Sequence, residues 1–179
     1  NFTSSGTNDL NNTNQLKSNI INDLSYNSYS FITKSGISND LKTNIKNLNS
    51  IGKNYSNYKS SPQIEVSSIF SLNSSYPLFK NNENSKSFLT PKASFRFNPG
   101  DMKDNSSSKN KINVGNIFSL NRLGLSDTHE AGRSLTLGLD YRNEKKTNDF
   151  EELNNINKYF EIKLATVLRD KEENFISRT

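Results

Sequence analysis

Apolar and polar residues alternate along two stretches of this chain, residues 87–98 and 132–143. Successive side chains of a β-strand point to opposite faces, so a period of two gives a strand one apolar and one polar face. The predicted apolar faces carry Leu89, Ala93, Phe95 and Phe97 in the first stretch, and Leu135, Leu137, Leu139 and Tyr141 in the second. Both stretches are therefore predicted to be strands with two chemically different faces, joined by a long polar connection.

The same alternation recurs through much of the remaining sequence. Further strands are predicted at residues 15–31, 63–73 and 159–169, and another begins at 175–179. We therefore expect an all-β fold, an antiparallel meander of about seven or eight strands.

Residues 37–48 fit two secondary structures. Their apolar residues have the spacing of one helix face, and residues 38–40 suit a helix cap. These apolar residues are Ile37, Leu41, Ile45 and Leu48. The Asn and Thr content and the neighbouring strands favour a strand, which is our prediction, with a helix as the alternative.

The polar stretches between the strands are predicted to be connections. They are residues 1–14, 33–36, 49–62, 74–86, 99–131, 144–157 and 171–174. Because consecutive strands of a meander alternate in direction, 49–62 and 99–131 are expected at one end of the sheet, opposite 33–36, 74–86 and 144–157. Residues 112–120 are a candidate short pairing strand, and 144–157 have the apolar spacing of a helical turn.

The composition favours one class of all-β protein. Hydrophobic residues make up only 31% of the chain, and the mean hydropathy is −0.81, values that in a soluble chain point toward disorder. The regular alternation argues against disorder. A membrane barrel needs apolar residues only on its outer face, so its mean hydropathy stays low. We expect residues 1–179 to be an incomplete, internal segment of an outer-membrane β-barrel domain.

Several other function classes are disfavoured. The net charge is +5, but the Lys and Arg residues are dispersed among acidic ones, which argues against nucleic-acid binding. The chain has no Cys, so it has no thiolate metal site. His129 is the only histidine and no nucleophile motif accompanies it. We expect a non-enzymatic protein without catalytic residues, cofactor or metal, in which His129 is a polar loop residue beside a solvated acid pair, Asp127 and Glu130.

Three short motifs in and around the long connection occur in an order and spacing that resemble those of a known family. They are Leu-Thr-Pro at 89–91, Asn-Ile-Phe-Ser-Leu-Asn-Arg at 116–122, and an Asp-x-x-Glu-x-Gly entry into a Gly-Leu strand at 127–139. In order and spacing they resemble the C-terminal barrel domain of the LptD family, the lipopolysaccharide-assembly proteins also called organic solvent tolerance proteins. A weaker similarity follows at 160–169. The family usually has Arg after the Asp, where this chain has Thr128.

The resemblance implies a function and a set of partners. An LptD-like barrel is part of the translocon that inserts lipopolysaccharide into the outer leaflet of the Gram-negative outer membrane. Its implied partners are lipopolysaccharide, outer-membrane lipids, an LptE-like plug lipoprotein and the periplasmic transport bridge, reached through a jelly-roll domain that these residues do not include. The alternatives are a generic outer-membrane porin or receptor barrel and a soluble Asn-rich adhesin-type β protein.

The long connection 99–131 carries the residues that we single out for a structural or gating role. They are Asn121, Arg122, Asp127, Glu130 and Gly132. Arg122 is predicted to bond Asp127 or Glu130, and Gly132 to admit a bend where the loop becomes strand. We expect the polar tip, 101–110, to be mobile, and 116–132 to be ordered with Phe118 among its more buried residues.

The polar faces of the predicted strands carry charged residues. Those expected to point inward are Lys92, Arg96, Asp140, Arg142, Lys163 and Arg169. A wet barrel interior accounts for them without any further role.

Overall fold

A computed structural model describes residues 1–55, 58–106, 110–146, 156–170 and 174 of the chain. In these residues the chain forms nine strands and no helix. The strands are β1 (Phe2–Asn11), β2 (Gln15–Asn27), β3 (Phe31–Ile32), β4 (Ser38–Lys53), β5 (Gln63–Ser75), β6 (Leu78–Asn81), β7 (Ser85–Asn98), β8 (Gly132–Lys146) and β9 (Ile156–Arg169). The predicted all-β class is confirmed.

The strands form one antiparallel sheet in the order β1-β2-β4-β5-β7-β8-β9, with β3 paired to β4 and β6 paired to β7. Each strand of the main path therefore lies beside its neighbours along the chain, and the predicted meander is confirmed. Among the described residues, β1 and β9 each pair with one strand only, so the sheet is open.

The chain reverses at alternate ends of this sheet. Residues 12–14 and the described parts of 54–62 and 99–131 lie at one end, and residues 28–37 and 76–84 lie at the other. The predicted grouping is confirmed for these connections, whereas the connection between β8 and β9 lies outside the described residues. The turn at 33–36 is also present, closed by a 2.9 Å bond from Gly36 N to Thr33 O, with Gly36 at a φ of 86°.

The structure decides two predictions about the first half of the chain. Residues 38–48 belong to strand β4 and not to a helix, because β4 pairs along nearly its whole length with β2 and β5. Residues 1–14 are not a loop, because β1 pairs with β2 from Phe2 to Asn11. This strand is held by its backbone ladder and by polar side chains, so its sequence lacks the apolar alternation on which the loop prediction rested.

Other boundaries also differ from prediction. The connection 49–62 is shorter than predicted because β4 continues to Lys53, and 74–86 contains β6, which pairs with the start of β7. Residues 112–120 form turns and not a strand. The helical turn predicted in 144–157 is replaced up to Lys146 by the end of β8, and its remainder to 155 lies outside the described residues. So do most of the turn at 171–174 and the strand at 175–179.

The two faces of the sheet differ in the way the alternation predicts. One lateral row of directly paired side chains crosses five strands from β4 to β9 and is apolar throughout. It consists of Leu41, Leu72, Phe95, Leu135 and Leu168, which are 38–53% exposed. The opposite face is polar, and the described residues of the connection 99–131 lie against it. Across the described residues, no helix is long and apolar enough to cross a bilayer.

Candidate functional site

The connection between β7 and β8, residues 99–131, is folded onto the polar face of the sheet and is called the cover loop below. Asn98, which is 2% exposed, ties its two ends together. The Asn98 side-chain amide donates to the backbone oxygens of His129 and Glu130 at 3.3 and 3.2 Å, and its Oδ1 accepts from Gly100 N at 2.9 Å. One buried amide therefore fixes where the loop leaves the sheet and where it returns.

Asn121 closes a tight turn inside the loop. Its Nδ2 donates to Leu125 O at 2.7 Å, and Leu125 N donates back to its Oδ1 at 3.0 Å. Gly124 lies within this turn at a φ of 63°, a conformation that glycine adopts at little cost. Asn121 therefore holds this turn through two hydrogen bonds between its side chain and the backbone of Leu125.

A small apolar cluster stabilises the loop from within. Met102, Leu123 and Leu125 are each 5–6% exposed, and Ile112 and Ala131 pack against them. The mobility predicted for the segment 101–110 rested on its polar composition, yet Met102 of this segment is buried in the cluster. Residues 107–109 of that segment lie outside the described residues.

Arg122 and Glu130 form the centre of the contact between loop and sheet. Arg122 is 1% exposed and Glu130 is 7% exposed. The Arg122 Nε donates to Glu130 Oε2 at 2.6 Å, and Nη2 donates to Oε1, so the pair is bidentate. The remaining Arg122 donors reach strand β8, at Thr136 Oγ1 (3.3 Å) and Ser134 Oγ (3.2 Å). The predicted pairing of Arg122 with Glu130 is confirmed.

Two further arginines converge on Glu130 from the strands. Arg96 Nη1 of β7 lies 3.2 Å from Oε2, and Arg169 Nη1 of β9 lies 2.7 Å from Oε1. Arg96 also donates to the backbone oxygen of Leu120. Burial by itself raises the pKa of Glu130, but the bonds from Arg122 and the three arginine charges outweigh it and lower that pKa. Glu130 is therefore a charged hub that joins the loop to two strands.

Asp127 has a different partner from Glu130. Its Oδ2 accepts a 2.6 Å bond from the hydroxyl of Tyr58, which lies in the connection between β4 and β5. Burial and this acidic neighbour raise the pKa of Tyr58. Nearby, Lys103 of the loop pairs with Glu65 of β5 at 2.8 Å. These two contacts attach the loop to the part of the sheet formed by β4 and β5, on the same polar face.

His129 is buried between the loop and the sheet, at 4% exposure. Its Nδ1 lies 3.3 Å from the hydroxyl of Ser67 on β5. Burial lowers the pKa of His129 to about 4, and the positive charge of Lys46 adds to this effect. The prediction of a polar loop histidine beside a solvated acid pair was wrong, because both His129 and Glu130 are enclosed.

The Phe118 ring contacts strand β8 at Gly138. A Cβ added at Gly138 would come within 2.6 Å of Phe118 Cζ, so the ring occupies the space that this glycine leaves open. Lys92 Nζ lies 5.9 Å from the ring centroid. Phe118 is only half-buried, and its neighbour Ile117 is buried at 6% exposure. Phe118 was expected among the more buried residues outside the strands, and it is partly buried, though less so than Ile117.

Gly132 marks the return from loop to strand. It has a φ of 78°, which confirms the predicted bend. The next amide, Arg133 N, donates to Asp170 Oδ1 at 3.2 Å, just beyond the end of β9.

The other charged residues predicted to point inward lie in ion pairs along β7, β8 and β9. The pairs are Lys92 with Asp140, Arg142 with Glu144 at 2.6 Å, and Lys163 with Glu161 at 3.0 Å. Lys92 and Asp140 lie on the paired strands β7 and β8, and Lys92 also lies over the Phe118 ring. The polar face is thus largely self-neutralised outside the cover loop.

A cleft of about 500 Å³ remains between the cover loop and the polar face of β1, β2 and β4. Its lining consists mostly of hydroxyl and amide side chains with the Asp23–Lys46 pair, and His129 forms part of its wall. Within the described residues, no three His, Cys, Asp or Glu side chains are grouped so that they would hold a metal ion. The geometry is that of a largely polar cleft flanked by the cover loop.

Sequence reasoning did not find several residues of this site. Asn98, Tyr58 and Lys46 hold or flank the loop, but each comes from a different element. Asn98 had a local signal, because it precedes the Pro99-Gly100 turn at the end of a predicted strand. Tyr58 and Lys46 had none, because their roles depend on which strands become neighbours.

Comparisons of the chain with protein-family models, with curated proteins and with solved structures find no match.

Proposed function

We propose that this chain is part of an outer-membrane β-barrel of the LptD type, which inserts lipopolysaccharide into the outer leaflet of a Gram-negative outer membrane. The observation that carries the proposal is the reversed burial of the sheet. Its polar face holds the buried side chains beneath the cover loop, and its apolar face is exposed. In water this arrangement is unfavourable, but in a bilayer the apolar face contacts lipid.

The dimensions of the sheet support a membrane location. The main strands from β2 onward contain 13–16 residues, and about 9–11 residues of tilted strand cross the hydrocarbon core. Directly paired apolar residues continue along the strands, as in the row Leu89, Tyr141 and Ile162. The exposed apolar surface is therefore a band several residues deep and not an isolated patch.

The cover loop supports a specialised barrel over the porin alternative. It is fixed to the polar face by the Glu130 hub, and it carries the sequence at 116–122 and 127–132 on which the resemblance depends. A loop held in this way narrows the interior on the side of β5, β7 and β8, whereas a general diffusion pore requires an open interior. The proposed partners are lipopolysaccharide, outer-membrane lipids, an LptE-like plug lipoprotein and a periplasmic transport bridge.

The membrane location is tested by a pair of single tryptophan variants. The chain has no Trp, so each variant has one fluorophore. Leu168→Trp places it on the apolar face and Val167→Trp, one residue earlier, places it on the polar face. In bilayers with brominated lipid chains, we expect several-fold stronger quenching for Leu168→Trp. Equal quenching of the two variants, or none at Leu168→Trp, contradicts a lipid-facing apolar surface.

The transport function requires a cellular experiment. Depleting the protein is expected to reduce newly made lipopolysaccharide at the cell surface, measured by surface labelling of intact cells. The uptake of small solutes should stay unchanged. Loss of solute uptake with normal surface lipopolysaccharide supports the porin alternative instead.

A further inference from the structure

His129 lies in the contact between the cover loop and the sheet, where each carboxylate nearby, among the described residues, already has another partner. Strand β5 offers the neutral hydroxyl of Ser67 at 3.3 Å. Lys46 of strand β4, which is 6% exposed, and Arg96 of strand β7, which is 3% exposed, are close enough for their positive charges to lower the pKa of His129. The carboxylate of Asp23 on β2 is already bound to Lys46, with oxygens 2.6 and 2.8 Å from Nζ.

The immediate chain neighbours of His129 do not change this balance. Glu130 is bound by Arg122, Arg96 and Arg169, and Asp127 accepts the bond from Tyr58. A proton on His129 therefore adds a buried positive charge that faces two other cations. Such a charge is strongly unfavourable unless the group returns to water.

We infer that protonation of His129 releases the cover loop from the polar face, so that the loop is a proton-sensitive cover over the cleft. The cleft beside His129 gives the released side chain a route to solvent. The idea that this release widens a transport passage rests on the proposed function. The proton-dependent seating of the loop does not.

The direction and size of the effect follow from linkage. The docked loop holds the pKa of His129 at about 4, whereas a released histidine has a pKa near 6.5. The neutral form favours docking, so docking is strongest above pH 6.5 and weakens as the pH falls toward 4. Between pH 8 and pH 5 the equilibrium constant for loop opening is expected to rise about 30-fold.

The experiment measures loop opening by hydrogen exchange of the backbone amides at 121–130, in the full protein in detergent micelles at pH 8 and pH 5. His129→Gln is the matched control, because it keeps a polar side chain and removes the titration of the only histidine in the chain. After correction for intrinsic exchange, we expect the 30-fold rise in the unmodified protein and no more than a twofold rise in His129→Gln.

An opening constant that is the same at both pH values overturns the inference, and so does an equal rise in His129→Gln. If that variant does not fold, Lys46→Gln tests the same electrostatics. Without Lys46, the carboxylate of Asp23 is free to pair with the imidazolium of His129. The rise in the opening constant between pH 8 and pH 5 should therefore shrink. A rise of unchanged size in Lys46→Gln counts against the inference. None of these outcomes depends on lipopolysaccharide transport, so they are independent of the proposed function.

Discussion

Neighbouring residues of β7 and β8 have opposite environments. Ser94 and Thr136 are directly paired across the two strands and both are fully enclosed at 0% exposure. Phe95 and Leu135, one position along, are also paired, and they are 48% and 38% exposed. A soluble sheet would bury the second pair and expose the first. The same two strands thus present one face to a polar loop and leave the apolar face exposed.

The two faces are stabilised by different interactions. On the polar face, Ser94 donates to Asn73 at 2.6 Å and Thr136 accepts from Arg122 at 3.3 Å, so enclosure is accompanied by hydrogen bonds. Such bonds have defined partners and break when one partner is changed. On the apolar face, the exposed side chains contact the surrounding medium and have no specific partner. We therefore expect substitutions on the polar face to act on the loop, and those on the apolar face to act on membrane insertion.

The largest effect is expected at Glu130. The Glu130→Gln variant keeps the shape of the side chain but removes the negative charge that Arg122 and Arg96 share. Leaving two buried guanidinium groups without it should cost about 3–5 kcal/mol of loop docking. Hydrogen exchange at 121–130 in detergent micelles measures this as a loss of protection.

The matched control for that variant is Glu65→Gln. Glu65 also joins the cover loop to the sheet, through Lys103, but its side chain is 47% exposed. Surface ion pairs contribute up to about 1 kcal/mol, so Glu65→Gln should leave protection nearly unchanged. Equal effects of the two variants would mean that burial of the Glu130 hub does not determine docking.

On the apolar face, Leu139→Arg should act on insertion. Leu139 is near the middle of β8, paired with Pro91 and Leu164, so its side chain belongs to the apolar band. An arginine facing lipid near the bilayer centre costs about 2–4 kcal/mol. The expected result is a matching loss of folding free energy in lipid vesicles. Ser25→Arg, which faces the polar cleft, is the control and should cost under about 1 kcal/mol; a reversed order would refute the assignment of the faces.

How much was predictable from the sequence differs between these faces. The alternation at β5, β7, β8 and β9 identified the strands and the apolar residues, because a period of two is a local property. It failed at β1, where Ser4 and Asn22 pair through side chains at 2.7 Å and the strand needs few apolar residues.

The contact between loop and sheet was only partly predictable. Arg122 and Glu130 are eight residues apart in one loop, so their opposite charges suggested the pair. The burial of His129 depends on Ser67 and Lys46, which are 62 and 83 residues away in the chain. Nothing in the local sequence fixes which strands come to face this histidine, and so its enclosure required the structure.

The smallest effect is expected where the loop meets the sheet through packing alone. A Cβ at Gly138 would lie 2.6 and 2.8 Å from two atoms of the Phe118 ring and 3.2 Å from Leu164 O. Gly138→Ala must therefore displace the ring, at a cost of about 1–3 kcal/mol in loop docking. Because the clash is with Phe118, the double variant Gly138→Ala with Phe118→Leu should lose less than the sum of the two single changes.

Gly6→Ala is the control for this prediction, since Gly6 is also a strand glycine but a Cβ there would meet its nearest atom at 3.6 Å, an ordinary contact. It should leave the protection of residues 121–130 unchanged. Additive effects of Gly138→Ala and Phe118→Leu would show that the ring does not rest on β8. The cover loop would then be held by the Glu130 hub and its polar neighbours alone, and the contrast between the loop-binding face and the exposed apolar face would rest on charge and hydrogen bonds without a contribution from shape.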